Sequence, residues 1–234
     1  MQQGLYTSKN SDYLKHNSTW HVEDSPWKAE QVFKIIKRNR LTPQKIGEIG
    51  CGAGEILVQL QNLMNDEEID FEGYDISPDA YELAKGRSNE KLNFFNENLI
   101  AKENTFFDLC LVIDVFEHVD NYVDFIKQCG KKANYKIYHI PLDLHASALI
   151  RNRLIDVRNA VGHIHFFTKD IALAALVDSG QEIVDYFYTP LSIATHNKTI
   201  KTKFANLFRR VLFKINPDFS VRLIGGHSLL VLTK

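Results

Sequence analysis

A chain of 234 residues, 44% of them apolar and 24% charged, is long enough and apolar enough to bury one large α/β core. Its formal net charge of -1 leaves no basic footprint of the kind nucleic acid selects, so no nucleic-acid partner is expected. The three cysteines, Cys51, Cys110 and Cys129, form no CxxC pair and fall in or beside expected core elements, so they read as small buried hydrophobes in a reducing compartment. With no apolar signal-peptide core in Met1–Asn10 and no apolar run of membrane-spanning length, the expected location is the cytoplasm.

In chain order, the first informative stretch is Tyr13–Lys28, which holds both tryptophans, Trp20 and Trp27, together with His16 and His21. Ser25-Pro26 then opens a helix through Val32, Phe33, Ile35 and Ile36 that ends in the basic run Lys37-Arg38-Asn39-Arg40. Next, Ile46–Ile49 reads as a buried strand running into a turn with Gly50, Gly52 and Gly54, and Ile56, Leu57 and Leu60 mark the helix that follows. Strand, glycine turn and helix N-terminus together form a cradle for a nucleotide-like cofactor. A phosphate-binding P-loop would need a Gly-Lys-Ser/Thr ending, which is absent. A dinucleotide fingerprint would need glycine where Glu55 stands, and an acid is unfavourable beside a pyrophosphate.

The remaining pattern is an acid two residues before three alternating glycines, and Glu48-Ile49-Gly50-Cys51-Gly52-Ala53-Gly54 fits it without a gap. Here the sequence resembles the class I S-adenosylmethionine-dependent methyltransferases. The resemblance implies a Rossmann-like fold, a seven-stranded, mostly parallel sheet with helices on both faces in the order 3-2-1-4-5-7-6. It also implies that Glu48 helps hold the methionine end of the cofactor. A second strand, Ile69–Tyr74, ends at Asp75, whose carboxylate can accept both ribose hydroxyl protons, with Ile76 beside the adenine. Ser77-Pro78 caps the next helix. After a third strand, Leu92–Phe95, the resemblance assigns the adenine amino group to Glu97 or Asn98, although Asn96-Glu97 stands where the family usually carries a glycine-acid pair.

The fourth strand, from Phe107, breaks at Asp114, and Asp114-Val115-Phe116-Glu117-His118-Val119 resembles the segment found in ubiquinone-pathway and many small-molecule methyltransferases. Asp114 and Val115 are thereby expected at the cofactor. A helix is expected over Val119–Gln128, stopping at Gly130. Tyr135–Pro141 reads as a fifth strand carrying His139, and Asp143–Arg158 as an inserted helical piece. Gly162-His163-Ile164-His165-Phe166-Phe167-Thr168 resembles the family segment that borders the acceptor pocket, with Thr168 capping a helix. On a strand, His163 and His165 would share one face, but no acid-rich ligand set lies nearby in sequence and no metal is expected.

Two final strands, Glu182–Tyr188 and His227–Leu232, flank a long insertion. Within that insertion, 198–214 is basic and apolar with no acid, which suits either a helix on an anionic membrane surface or a packed helix with a solvated basic face. The expected organisation is an N-terminal lid and helix over 1–44, then a cofactor-binding domain over 45–234 with helical insertions near 143–160 and 189–226. By resemblance the N-terminal segment folds over the cofactor, with Trp20, His21 and Trp27 helping to close the site, or else the tryptophans, Trp27 above all, anchor the arm to the core. The expected activity is methyl transfer from S-adenosylmethionine to a small-molecule acceptor, leaving S-adenosylhomocysteine. An O-methyltransferase acting on a sugar, glycan precursor or other metabolite is the leading form, and a non-catalytic cofactor-binding scaffold is the alternative. Candidate proton acceptors are Glu117, His118, His139, His163 and His165; for Glu117 and His118, helix capping and cofactor packing are the competing roles. The sequence leaves oligomeric state open.

Overall fold

The computed structural model describes residues 22–190 and 200–234, with side chains left undescribed at 200–206 and 208. Trp20, His21 and the start of the 198–214 stretch lie outside the described residues. Seven strands form one sheet in the order β3-β2-β1-β4-β5-β7-β6. They are β1 (Lys45–Ile49), β2 (Asp70–Tyr74), β3 (Leu92–Phe95), β4 (Phe107–Ile113), β5 (Ala133–Pro141), β6 (Ile183–Pro190) and β7 (His227–Thr233). The first five pair in parallel, and β7 lies antiparallel between β5 and β6.

Strand periodicity divides the core between the two faces of the sheet. On β4, Leu109, Leu111 and Ile113 face one cluster and Cys110 and Val112 the other. The first cluster is covered by α1 (Ser25–Arg38), through Val32, Ile35 and Ile36, and by α2 (Glu55–Met64), through Ile56, Leu57 and Leu60. The second is covered by α4 (Tyr122–Gly130), through Ile126 and Cys129, and by α7 (Lys169–Asp178), through Ala172 and Leu176. Each fully buried leucine or isoleucine in these layers contributes about 1.5–3 kcal/mol. A short α3 (Pro78–Ala84) is capped as expected, the Ser77 side chain accepting from the Ala80 N–H.

Strand order reverses between β1 and β4, because β1 pairs with β2 on one side and β4 on the other. The carboxyl ends of β1 and β4 therefore diverge into a crevice, the position where open α/β sheets hold ligands. Around it the structure departs from sequence expectation in three places. The helix expected from Val119 starts instead at Tyr122, capped by Asn121, whose side chain accepts from the Asp124 N–H. Before it, Phe116–His118 forms a separate 3-10 turn whose Glu117 carbonyl accepts from the N–H groups of Ile164 and His165. Second, residues 162–168 form no strand, so His163 and His165 do not share a face. Third, the Asp143–Arg158 piece is two short helices, α5 (Ala146–Ile150) and α6 (Leu154–Val161), separated at Asn152, whose φ is 52°. The long insertion before β7 contains α8 (Ile200–Ile215) and α9 (Pro217–Ile224).

Candidate active site

The glycine turn after β1 is shaped by close approach. Gly50 has φ 71°, and a Cβ there would stand 2.8 Å from a Val115 methyl; Gly54 has φ 79°, and its Cβ would meet the Phe94 ring at 2.5 Å. Only glycine tolerates both the left-handed backbone and the contact. Asp75 clamps the loop from the neighbouring strand end: its Oδ2 accepts from the Gly52 N–H at 2.9 Å and its Oδ1 from the Ser77 N–H at 2.8 Å. A carboxylate offers about four lone-pair sites, so one hydrogen bond on each oxygen leaves capacity for a diol.

A cleft of about 500 Å3 opens over this loop, a volume suited to a nucleoside-sized ligand. Gly50, Asp75, Ile76, Glu97, Asn98, Asp114 and Val115 all line it. Ile76 is 44% exposed, an apolar surface in the wall ready to be covered by a flat ring. The Asn98 side chain accepts from the Ile100 N–H at 3.0 Å, and Glu97 is ion-paired with Lys102.

A second cleft, of about 460 Å3, lies on the other side of the loop. Gly50, Asp114 and His118 line both, so the two chambers meet at these residues. Cys51, Gly52, His139 and His163 face the second chamber, joined by residues that the sequence did not single out for it: Lys28 and Asp143. Trp27 also lines it, its ring set edge-on to His139. Burial pushes the Cys51 thiol well up, so it acts as a small apolar wall rather than a nucleophile.

Asp114, with φ 54°, anchors the junction. Lys28 Nζ lies 2.7 Å from its Oδ2, and His139 Nδ1 donates to its Oδ1 at 2.6 Å. Burial alone would raise this carboxyl, but the His139 and Lys28 charges hold it well below the usual range. The other His139 nitrogen meets the Thr189 hydroxyl at 2.9 Å. An imidazole engaged on both nitrogens is placed to hold Asp114 rather than to receive a substrate proton. His165 lines neither cleft; its Nε2 donates to the Val119 carbonyl at 3.0 Å.

Two buried acids stand behind these walls. Glu48 is 1% exposed under the glycine loop; burial pushes its carboxyl well up, with Lys28 opposing and Asp75 adding to the shift. Its Oε2 has no hydrogen-bond partner among the described residues, an oxygen that an ammonium group would satisfy. Glu117, also 1% exposed, is raised by burial and by the Asp114 charge. His163 lies across from it, with Nδ1 donating to Asp143 Oδ2 at 2.7 Å and Nε2 facing Glu117 Oε1 at 3.9 Å. The pairing of His163 with Asp143 has no local sequence signal, because it joins segments 20 residues apart across the loop after β5.

Compared with known proteins, the chain matches the family model described as a methyltransferase domain over residues 25–184. No curated protein matches it. Among solved structures it is similar to a Haloferax volcanii chain in complex with a methyltransferase activator, at 11% identity and TM-score 0.65, covering 97% of this chain and 98% of that one. It is similar to the plantazolicin methyltransferase bound to S-adenosylhomocysteine, at 18% identity and TM-score 0.61, covering 97% and 91%. Magnesium protoporphyrin IX methyltransferase from Synechocystis, with the same nucleoside bound, aligns at 12% identity and TM-score 0.60, covering 99% and 91%. The family match spans most of the described chain, including the glycine loop and the Asp114 junction. This chain therefore belongs to the methyltransferase-domain family, on the class I fold whose cofactor is S-adenosylmethionine.

Proposed function

We propose that the chain transfers the methyl group of S-adenosylmethionine to an oxygen of a small hydroxyl-bearing acceptor. The observation that carries this reading is the meeting of two clefts at Gly50, Asp114 and His118. A nucleoside held in the first cleft would present its reacting end toward the second at these shared residues. When bound, S-adenosylmethionine supplies an electrophilic methyl on a positively charged sulfur. The remaining work is alignment and water exclusion. Asp75 fixes the ribose, Ile76 and Val115 cover the base, and the orphaned Glu48 oxygen favours the ammonium. The acceptor hydroxyl would give up its proton to His118 or His163, which line the second cleft, with Glu117 buried behind them. The methyl would pass to that oxygen and the C–S electron pair would stay on sulfur, with the neutral thioether S-adenosylhomocysteine as the product.

Trp27 in the wall and Arg153 and Asp156 in the lining suit an acceptor with an apolar face and several hydroxyls, such as a sugar or glycan precursor. A specific observation favours a lipid-linked form of that acceptor. Helix α8 exposes Leu207, Val211 and Ile215 at four-residue spacing, and Phe219 and Leu223 continue the exposed apolar surface on α9. The same α8 carries Arg210 and Lys214 and no acid, which matches an anionic bilayer surface. Sedimentation with phosphatidylglycerol vesicles, but not with phosphatidylcholine vesicles, supports that contact; sedimentation with neither, or equally with both, removes it.

Calorimetric titration with S-adenosylmethionine and S-adenosylhomocysteine tests the cofactor, and radiolabelled methyl transfer to a panel of hydroxylated acceptors tests turnover. Both sulfur nucleosides should bind and NAD should not, and Asp75→Ala should weaken binding by about tenfold or more. Binding without product on any acceptor points to the scaffold alternative, and no binding by the folded chain overturns the assignment.

A further inference from the structure

The glycine turn offers a ligand fewer donors than its bare backbone suggests. The Gly50 and Cys51 N–H groups both donate to the Tyr74 carbonyl, at 2.8 and 3.1 Å, and the Gly54 N–H donates to the Cys51 carbonyl at 2.9 Å. Asp75 Oδ2 takes the Gly52 N–H. Of the amides from Gly50 to Gly54, only that of Ala53 is not engaged by one of these bonds. Glu55 then places a negative charge in the first turn of α2. A ligand carboxylate at this loop therefore meets little of the positive field that an open helix N-terminus supplies.

The side chains around the junction add to the difficulty. Asp114 stands in it, Glu48 and Asp75 at the glycine loop, and Glu117 behind it. Among the described residues that line either cleft, the lysines and arginines are Lys28 and Arg153 alone. Arg153 lines only the second cleft, half exposed and paired with Asp156 at 2.9 Å. Lys28 is different. It rises from the first turn of α1 with a side chain only 18% exposed, and its Nζ lies 2.7 Å from Oδ2 of Asp114, the residue both clefts share. Burial lowers the pKa of this ammonium, but Asp114, Asp24 and Glu117 hold it above its ordinary value, so it stays charged at neutral pH. An ammonium has three donors, and Asp114 Oδ2 takes one of them.

The amino-acid end of S-adenosylmethionine carries an ammonium and a carboxylate on one carbon. The chain presents a charge of each sign for it: Glu48, whose Oε2 has no hydrogen-bond partner among the described residues, and Lys28, close enough to oppose the rise in the Glu48 pKa. We infer that Lys28 determines cofactor specificity by donating to the carboxylate of the amino-acid end while Glu48 takes its ammonium. This assignment rests on the methyltransferase reading above and adds to it a requirement for a zwitterion. Asp114 holds the lysine at the junction, and His139, donating to the other Asp114 oxygen, keeps that acid ionised while Lys28 shares its remaining donors with the ligand. The same positive charge disfavours a decarboxylated cofactor, because Lys28 would then face an ammonium alone.

The test is calorimetric titration of the intact chain with three nucleosides. S-Adenosylhomocysteine carries both charges, its decarboxylated form keeps only the ammonium, and 5′-methylthioadenosine has neither. The wild-type chain should bind S-adenosylhomocysteine at least about tenfold more tightly than either of the others. Lys28→Met should weaken S-adenosylhomocysteine by about tenfold or more, leave methylthioadenosine within about twofold, and leave the decarboxylated form unchanged or tighter. Lys28→Arg, which keeps the charge, should restore part of the preference. Circular dichroism melting establishes folding, and if Lys28→Met does not fold, Lys28→Gln carries the comparison. A lysine that only ties α1 to Asp114 would weaken all three nucleosides by the same factor. That result, or equal binding of all three by the wild-type chain, overturns the role of Lys28 and leaves the methyltransferase reading standing. Binding of none of them by the folded wild-type chain overturns both.

Discussion

At the scale of single residues, the site is a contest between burial and charge. Asp114 keeps its charge because Lys28 and His139 both reach it, at 2.7 and 2.6 Å. Glu48, without a hydrogen-bond partner on Oε2 among the described residues, is pushed the other way by the same burial. A carboxyl whose folded pKa stands above its unfolded value of about 4.3 binds more protons folded than unfolded. Its contribution is therefore fully present below about pH 4.3 and is lost as pH rises toward the folded pKa. Glu48→Gln should then raise the Tm of the ligand-free chain at about pH 7.5 and much less at about pH 5, each kcal/mol recovered being worth about 2–4 °C. If the carboxylate holds the cofactor's ammonium, the same variant should bind S-adenosylhomocysteine more weakly. A Tm difference independent of pH would show that Glu48 is not the group being relieved.

At the scale of elements, the glycine turn and the 3-10 turn set the two walls of the junction. Gly54 combines φ 79° with a Cβ path 2.5 Å from the Phe94 ring and 3.2 Å from Ala84, so Gly54→Ala should cost at least about 2 kcal/mol in urea unfolding. It should also abolish nucleoside binding. Gly86, with nothing within 4 Å of its Cβ position, is the matched control, and Gly86→Ala should be neutral or stabilising by up to about 1 kcal/mol. Equal losses at both positions would remove the close-approach account of the loop. The glycine loop was legible from the sequence because its constraint is local, three small residues between a strand and a helix. The 3-10 turn was not, since Glu117 gives its carbonyl to Ile164 and His165 rather than to the next helical turn. That long-range bond ends one element early and brings His163 to Glu117.

At the scale of the whole molecule, the last strand is not an edge. All seven residues of β7 are buried, and it pairs with β5 and β6 at once. Truncation after Gly226 would strip Leu229–Leu232 from both faces of the core. At about 1.5–3 kcal/mol for each apolar side chain, the loss is comparable to the about 5–15 kcal/mol that stabilises an entire domain. The truncated chain should fail to fold, visible as loss of cooperative melting by circular dichroism. A cooperative transition in it would mean that β6 and β5 can close the sheet alone.

The seven strands and the sites of Asp75, Asp114 and the glycine turn were determined by the sequence itself, because each is written in residues adjacent along the chain: apolar runs, strand-end acids and glycines at fixed spacing. The tertiary structure alone decided which histidines converge. His139 was drawn onto Asp114 and Thr189, His165 onto the Val119 carbonyl, and His163 onto Asp143 beside Glu117. These contacts join segments from 20 to 50 residues apart. Side-chain spacing along a strand predicts a shared face only where a strand forms, and residues 162–168 form none. The partners of a buried charge depend on which distant strand ends the sheet order brings together, and no local pattern of residues encodes that order.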